Sequence, residues 1–106
     1  MINKKILGLV GLAARARKIC FGADSVEDKI NKHKVKIVII ATDASNRTKE
    51  KFQKLSENNN ISFIIYSNIE ELSKAIGKEN KAIIGIEDIN LANEIKKIYN
   101  GGDIIG

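Results

Sequence analysis

Residues 35–45, VKIVIIATDAS, decide the fold. From Val35 to Ala41 the run is nearly all apolar and rich in β-branched side chains, the pattern of a strand covered on both faces. The polar group Thr42-Asp43-Ala44-Ser45 ends it, and Asp43 or Ser45 offers an oxygen to cap a helix reaching about Glu57. On that helix Phe52 and Leu55 face inward, while Arg47, Lys49, Lys51 and Lys54 face solvent. Downstream the alternation repeats. After the turn Asn58-Asn59-Asn60, ISFIIY (61–66) reads as a second core strand. Asn68 caps a short helix whose inner face is Ile69, Leu72 and Ile76, with Gly77 as its stop. A polar loop, Lys78-Glu79-Asn80-Lys81, leads to a third core strand at Ala82–Ile86. Asp88 or Asn90 then starts a helix to Tyr99, with Leu91, Ile95 and Ile98 inward.

Upstream of residue 35, Ile2, Ile6, Leu9, Val10 and Ala13 recur at helical spacing, predicting a buried helix over 2–16. Gly8 and Gly11 weaken that helix, so close approach of a neighbouring element is the expected reason for them. Arg15, Arg17 and Lys18 follow where positive charge suits a helix C-terminus. Lys18–Phe21 predicts a short edge strand, punctuated by Gly22. Asp24 or Ser25 is expected to cap the next helix, with Val26, Ile30 and His33 on its inner face. Lys29, Lys32, Lys34 and Lys36 make a basic stretch around the following turn. Strands alternating with helices predict an α/β fold, a three-layer α/β/α sandwich around a mixed sheet of about four strands. One domain over 1–99 is expected, with 100–106 a flexible tail.

The chain has 106 residues, and 43% hydrophobic against 29% charged side chains is a globular composition. Lys and Arg number 18 against 13 acidic residues, a net charge of +5 that suggests a polyanionic partner, nucleic acid first. A Lys-rich solvated surface is the blander account of the same charge. The one Cys and one His exclude an internal disulfide and give no metal-ligand spacing. No signal-peptide core or membrane-length run appears, so a cytoplasmic, membrane-free protein is expected. There is no phosphate-loop or dinucleotide fingerprint. Cys20, near the arginines, reads as a buried and inert thiol more readily than as a nucleophile. No active site and no cofactor are expected.

The segments LGLVGLAARARKICFG (7–22), KIVIIATDAS (36–45) and ELSKAIGKE (71–79), with the closing strand and helix, resemble the bacterial YlxQ-type proteins. These are relatives of the kink-turn-binding ribosomal proteins, and the resemblance covers nearly the whole chain. It implies the same sandwich, no catalysis, and binding to kink-turns, bent RNA internal loops with tandem G·A pairs. The RNA site so implied has three parts. The strand-to-helix junction Gly22-Ala23-Asp24-Ser25-Val26-Glu27-Asp28 reads G·A edges. The loop Thr42-Asp43-Ala44 flanks it, and the loop Gly77–Ala82, with Lys78, Asn80 and Lys81, packs on nucleotides turned out of the bend.

Several residues depart from the family pattern. Asp24 stands where Asn is usual, Ser25 where Glu is usual, and Asp28 where a Lys is expected. Lys29 is a neighbour of Asp28, but one residue along a helix is about 100° away. Cys20 and Phe21 occupy positions often basic in the family. Gly22 and Ala23 keep the pattern. Lys18, Lys29, Lys32, Lys78 and Lys81, with Arg15, remain to attract phosphate. The expected partner is structured RNA, such as ribosomal RNA or an mRNA leader, bound by a monomer near the ribosome. The alternative is a ribosome-associated or protein-interaction module that has lost kink-turn recognition.

Overall fold

The computed structural model describes residues 4–101. The elements follow in the order α1 (Lys4–Arg15), β1 (Ile19–Phe21), α2 (Ala23–Asn31), β2 (Ile37–Ile40), α3 (Asn46–Asn58), β3 (Ser62–Ile65), α4 (Ile69–Ala75), β4 (Ile83–Ile86) and α5 (Ile89–Tyr99). The four strands form one mixed sheet in the order β1-β4-β2-β3. Strand β4 is antiparallel to both neighbours, with Cys20 opposite Gly85 and Val38 opposite Gly85 on the other side. Strands β2 and β3 are parallel, joined by the α3 crossover, with Ile39 beside Ile64.

Helix α1 packs against α4 and α5, and α2 packs against α3. Every residue of β2 and β4 is buried, which requires cover on both faces. The two helical groups supply that cover, giving the α/β/α layering expected from the uninterrupted apolar strands. Isoleucine provides most of the large, fully buried side chains, including Ile37, Ile39, Ile40, Ile83, Ile84 and Ile86. With so uniform a core, the places where small residues fall decide how closely elements approach. A Cβ on Gly85 would lie 2.8 Å from the Cys20 sulfur and 3.1 Å from a Val35 methyl. Only glycine leaves room there. A Cβ on Gly11 would meet the Ala75 carbonyl oxygen at 3.3 Å, so Gly11 serves close approach of α1 to α4. Gly8 does not, since its missing Cβ has open space around it.

Helix starts show where local reading succeeded. Ser45 caps α3 by accepting from the Thr48 N–H, Asn68 caps α4 from Glu71, and Asp88 caps α5 from Leu91. Helix α2 differs. Its N-cap is Gly22, at φ 86°, and no side chain caps it. Asp24 and Ser25 are already inside the helix, so neither is the cap their residue types suggested. His33 is exposed, at φ 60°, in the turn beyond α2 and not on its inner face. At the far edge of the sheet the Tyr99 hydroxyl donates to the Ile65 carbonyl of β3. The expected loose tail lies outside the described residues from 102 onward.

Gly85→Ala is expected to lower stability by about 1–3 kcal/mol, the range for overpacking a tight core. In a Cys20→Ala background the same change should cost distinctly less, because the clashing sulfur is gone. Urea unfolding of the two single variants and the double variant measures this coupling.

Candidate nucleic-acid interface

Strand direction sorts the loops. Strands β1, β2 and β3 end, and β4 begins, at one rim of the sheet. That rim therefore collects Gly22–Ser25, Thr42–Asp43 and the 77–82 loop. Backbone hydrogen bonds tie the three together. The Gly22 N–H donates to the Ile83 carbonyl and the Ala41 N–H to the Ala82 carbonyl, both at 2.9 Å. The Thr42 N–H and hydroxyl both donate to the Ser67 carbonyl. One Asp43 carboxylate oxygen accepts the Ile69 N–H at 2.8 Å, so it holds the start of α4.

The 77–82 loop owes its shape to Ser73, a residue of α4 that no local sequence signal singles out. Ser73 is 3% exposed. Its carbonyl accepts the Lys78 N–H at 2.8 Å. Its hydroxyl accepts the Lys81 N–H at 2.7 Å and donates to the Lys81 carbonyl at 3.3 Å. Gly77 and Asn80 turn the chain in left-handed conformations, at φ 71° and 58°. So pinned, the loop places the Lys78 and Lys81 ammonium groups 5.3 and 5.5 Å from the centre of the Phe21 ring. A cation over an aromatic face within about 6 Å is attracted by its quadrupole. Phe21 thus holds two positive charges close to its ring. Between the 42–43 and 77–82 loops lies a cleft of about 590 Å³, lined by Asp43, Ile69, Ser73, Lys74, Lys78 and Asn80 among others.

At the α2 start, the Ala23, Asp24 and Ser25 N–H groups precede the first intrahelical bond, Val26 N–H to Gly22 carbonyl at 3.0 Å. With no side-chain cap they remain donors toward the rim, where the helix dipole favours negative charge. Asp24, exposed in this first turn, partly satisfies that preference itself. Asp28 and Lys29 lie further along α2. The Asp28 carboxylate pairs with Lys32 at 3.1 Å, an exposed i,i+4 contact worth a few tenths of a kcal/mol. Lys32 caps the far end of α2, and Lys18 precedes β1. Both stand at the opposite rim of the sheet, apart from the other expected site residues.

Cys20 is buried, with its thiol 3.8 Å from the Gly85 carbonyl oxygen. Burial, and then the nearby Glu87 carboxylate, push its pKa up to about 12, while Lys29 opposes the shift. The thiolate is thereby disfavoured, the reverse of an activated nucleophile. Among the described residues no cluster of His, Cys, Asp and Glu could hold a metal ion. Nor, among them, is any helix long and apolar enough to cross a membrane.

A four-stranded mixed sheet between helical layers, gathering three loops and two lysines on one rim, is the arrangement of a small loop-presenting α/β binding protein. The chain belongs to the ribosomal protein L7Ae/L30e/S12e/Gadd45 family, whose sequence profile matches residues 4–96. It is 34% identical over 99 residues to the RNA-binding protein YlxQ of Enterococcus faecium, covering 93% of this chain and 95% of the relative. It is 33% identical over 90 residues to the Bacillus subtilis protein of the same name, covering 82% and 87%. Among solved structures, a Bacillus halodurans protein of unknown function superposes with a TM-score of 0.89 at 31% identity, over 92% of this chain and 99% of that one. The Giardia lamblia 15.5 kDa RNA-binding protein shares the fold, with a TM-score of 0.76 at 22% identity over 90% and 88%. The family resemblance read from the sequence is borne out.

Ser73→Ala is expected to lower stability by about 1–3 kcal/mol by orphaning the Lys81 amide. A larger rise in hydrogen exchange at Lys81 than at the Ile83–Ile86 amides, which report global opening, would locate the loss in the loop. In native protein, Cys20 should resist disulfide-exchange labelling at mildly alkaline pH and label fully once unfolded in urea. Rapid native labelling would contradict the raised pKa and burial.

Proposed function

We propose that this chain binds structured RNA at the rim formed by Gly22–Ser25, Thr42–Asp43 and the 77–82 loop, with kink-turns as its target. The observation that carries the reading is the meeting of the uncapped α2 start with Lys78 and Lys81 over Phe21. N–H donors and two cations converge on one irregular surface. Such a surface suits a sharply bent, unstacked RNA, because a regular A-form major groove is too narrow to be read. The names of its relatives, RNA-binding proteins, support the same partner.

In this reading Gly22 and Ala23 let the RNA backbone approach the helix start. Ser25 and Asp24 face the base edges, Lys78 and Lys81 neutralise phosphates, and Asn80 and Gly77 shape the loop against turned-out nucleotides. Binding stabilises the bent RNA by its higher affinity for that state. The protein acts as a cytoplasmic monomer, through one domain over 1–99, on ribosomal RNA or an mRNA leader, and without catalysis. Asp24 and the Asp28–Lys32 pair favour a second reading. There the rim has lost kink-turn selectivity and serves the ribosome or a protein partner.

Titration of labelled kink-turn RNA, at stated salt and against a control lacking its G·A pairs, separates the two. Kink-turn binding at least about tenfold tighter than control, a gap of about 1.4 kcal/mol, is the expected result. Asp28→Lys, which replaces a negative charge on α2 by a positive one and frees Lys32, should tighten binding to both RNAs. Equal affinity for the two RNAs in the wild-type protein would refute kink-turn recognition and leave the second reading.

A further inference from the structure

At the rim opposite the proposed RNA site, two turns distant in sequence are locked side by side. Arg17 and Lys18 join α1 to β1, while His33, Lys34 and Lys36 join α2 to β2. The Glu87 N–H donates to the Lys18 carbonyl and the Lys36 N–H to the Ile86 carbonyl, both at 2.7 Å, so β4 fixes both turns. These five basic residues and Glu87 line one cleft of about 310 Å³. Among the described residues Arg17, Lys18, Lys34 and Lys36 form no ion pair, and all four are exposed.

Complementing the helix ends does not use up this charge. The α1 and α2 C-termini meet here, and each carries about half a negative charge. Together with Glu87 they amount to about two negative charges against four permanent positive ones, a surplus of about two. Arg17 and His33 also sit at φ 59° and 60°, a region that favours glycine, yet both positions carry long cationic or polar side chains.

We propose that this basic rim is a second RNA surface, which grips a phosphodiester backbone without reading sequence. It rests on the RNA-binding reading above and extends it, because the two surfaces face opposite ways along the strands. One surface selects the bent RNA and the other holds a second RNA segment. Phosphate contacts of this kind add affinity and salt dependence but no selectivity.

The test uses the full chain, a plain RNA duplex of about 20 base pairs and the kink-turn RNA, titrated between about 50 and 200 mM salt. The variants are Arg17→Gln/Lys34→Gln/Lys36→Gln and, for the other rim, Lys78→Gln/Lys81→Gln. The triple variant is expected to flatten the slope of log affinity against log salt by about 2 to 3 on both RNAs. The ratio of kink-turn to duplex affinity should stay at its wild-type value, and fall only in the Lys78/Lys81 variant. Protection of Lys34 and Lys36 from acetylation by bound duplex reads the same surface in wild-type protein. A wild-type salt slope in the triple variant, or unprotected lysines, would overturn the proposal. So would preference for phosphatidylserine vesicles over duplex that the triple variant abolishes. If wild-type protein binds kink-turn and duplex alike, the selective site fails while the slope on plain duplex still judges the basic rim.

Discussion

Strand β4 lies between β1 and β2 and runs against both, and the functional geometry follows from that pairing. Reversal of direction brings the 77–82 loop to the rim where β1 and β2 end. A parallel β4 would carry that loop to the other end, beside Lys18 and Lys36. The insertion is possible because Gly85 leaves space for Cys20 on one neighbour and Val35 before the other. A missing side chain in a wholly buried strand therefore underlies an exposed surface some distance away.

Charge on this surface is organised by backbone more than by pairing. Ser73 holds the loop, and the loop sets two lysines on Phe21. Two ammonium groups held near one ring repel each other, a cost that an incoming phosphate relieves. By contrast the ion pairs Lys32–Asp28 and Lys51–Glu27 brace α2 along itself and to α3. Positive charge is thus left available at both ends of the sheet, while Lys32 and Lys51 are held by acidic partners on α2.

Much of the fold was legible because β2, β3 and β4 are apolar runs of β-branched residues, and because Ser45, Asn68 and Asp88 cap in their usual way. The α2 start was misread for a physical reason. A glycine N-cap has no side chain to announce itself, while Asp24 and Ser25 are good capping types placed two and three residues too late. His33 fitted a helical face by spacing, but the helix ended before it. The loop residues of the proposed site were legible through family resemblance. Their separation from Lys18 and Lys32 was not, since strand order and direction are long-range properties. Ser73 and Phe21 gave no local signal, because a buried hydroxyl and a ring between lysines acquire meaning only from partners far along the chain.

The Tyr99 hydroxyl on the Ile65 carbonyl has a consequence for solubility. Strand β3 is an outer strand of the sheet, and its run ISFIIY is isoleucine-rich, uncharged and free of proline. Open strands of that composition invite pairing with another molecule. The end of α5, through Lys96, Tyr99 and Asn100, lies across this strand. The last turn of α5 thus acts as a guard against self-association, a tyrosine hydroxyl occupying an edge carbonyl of the most adhesive segment.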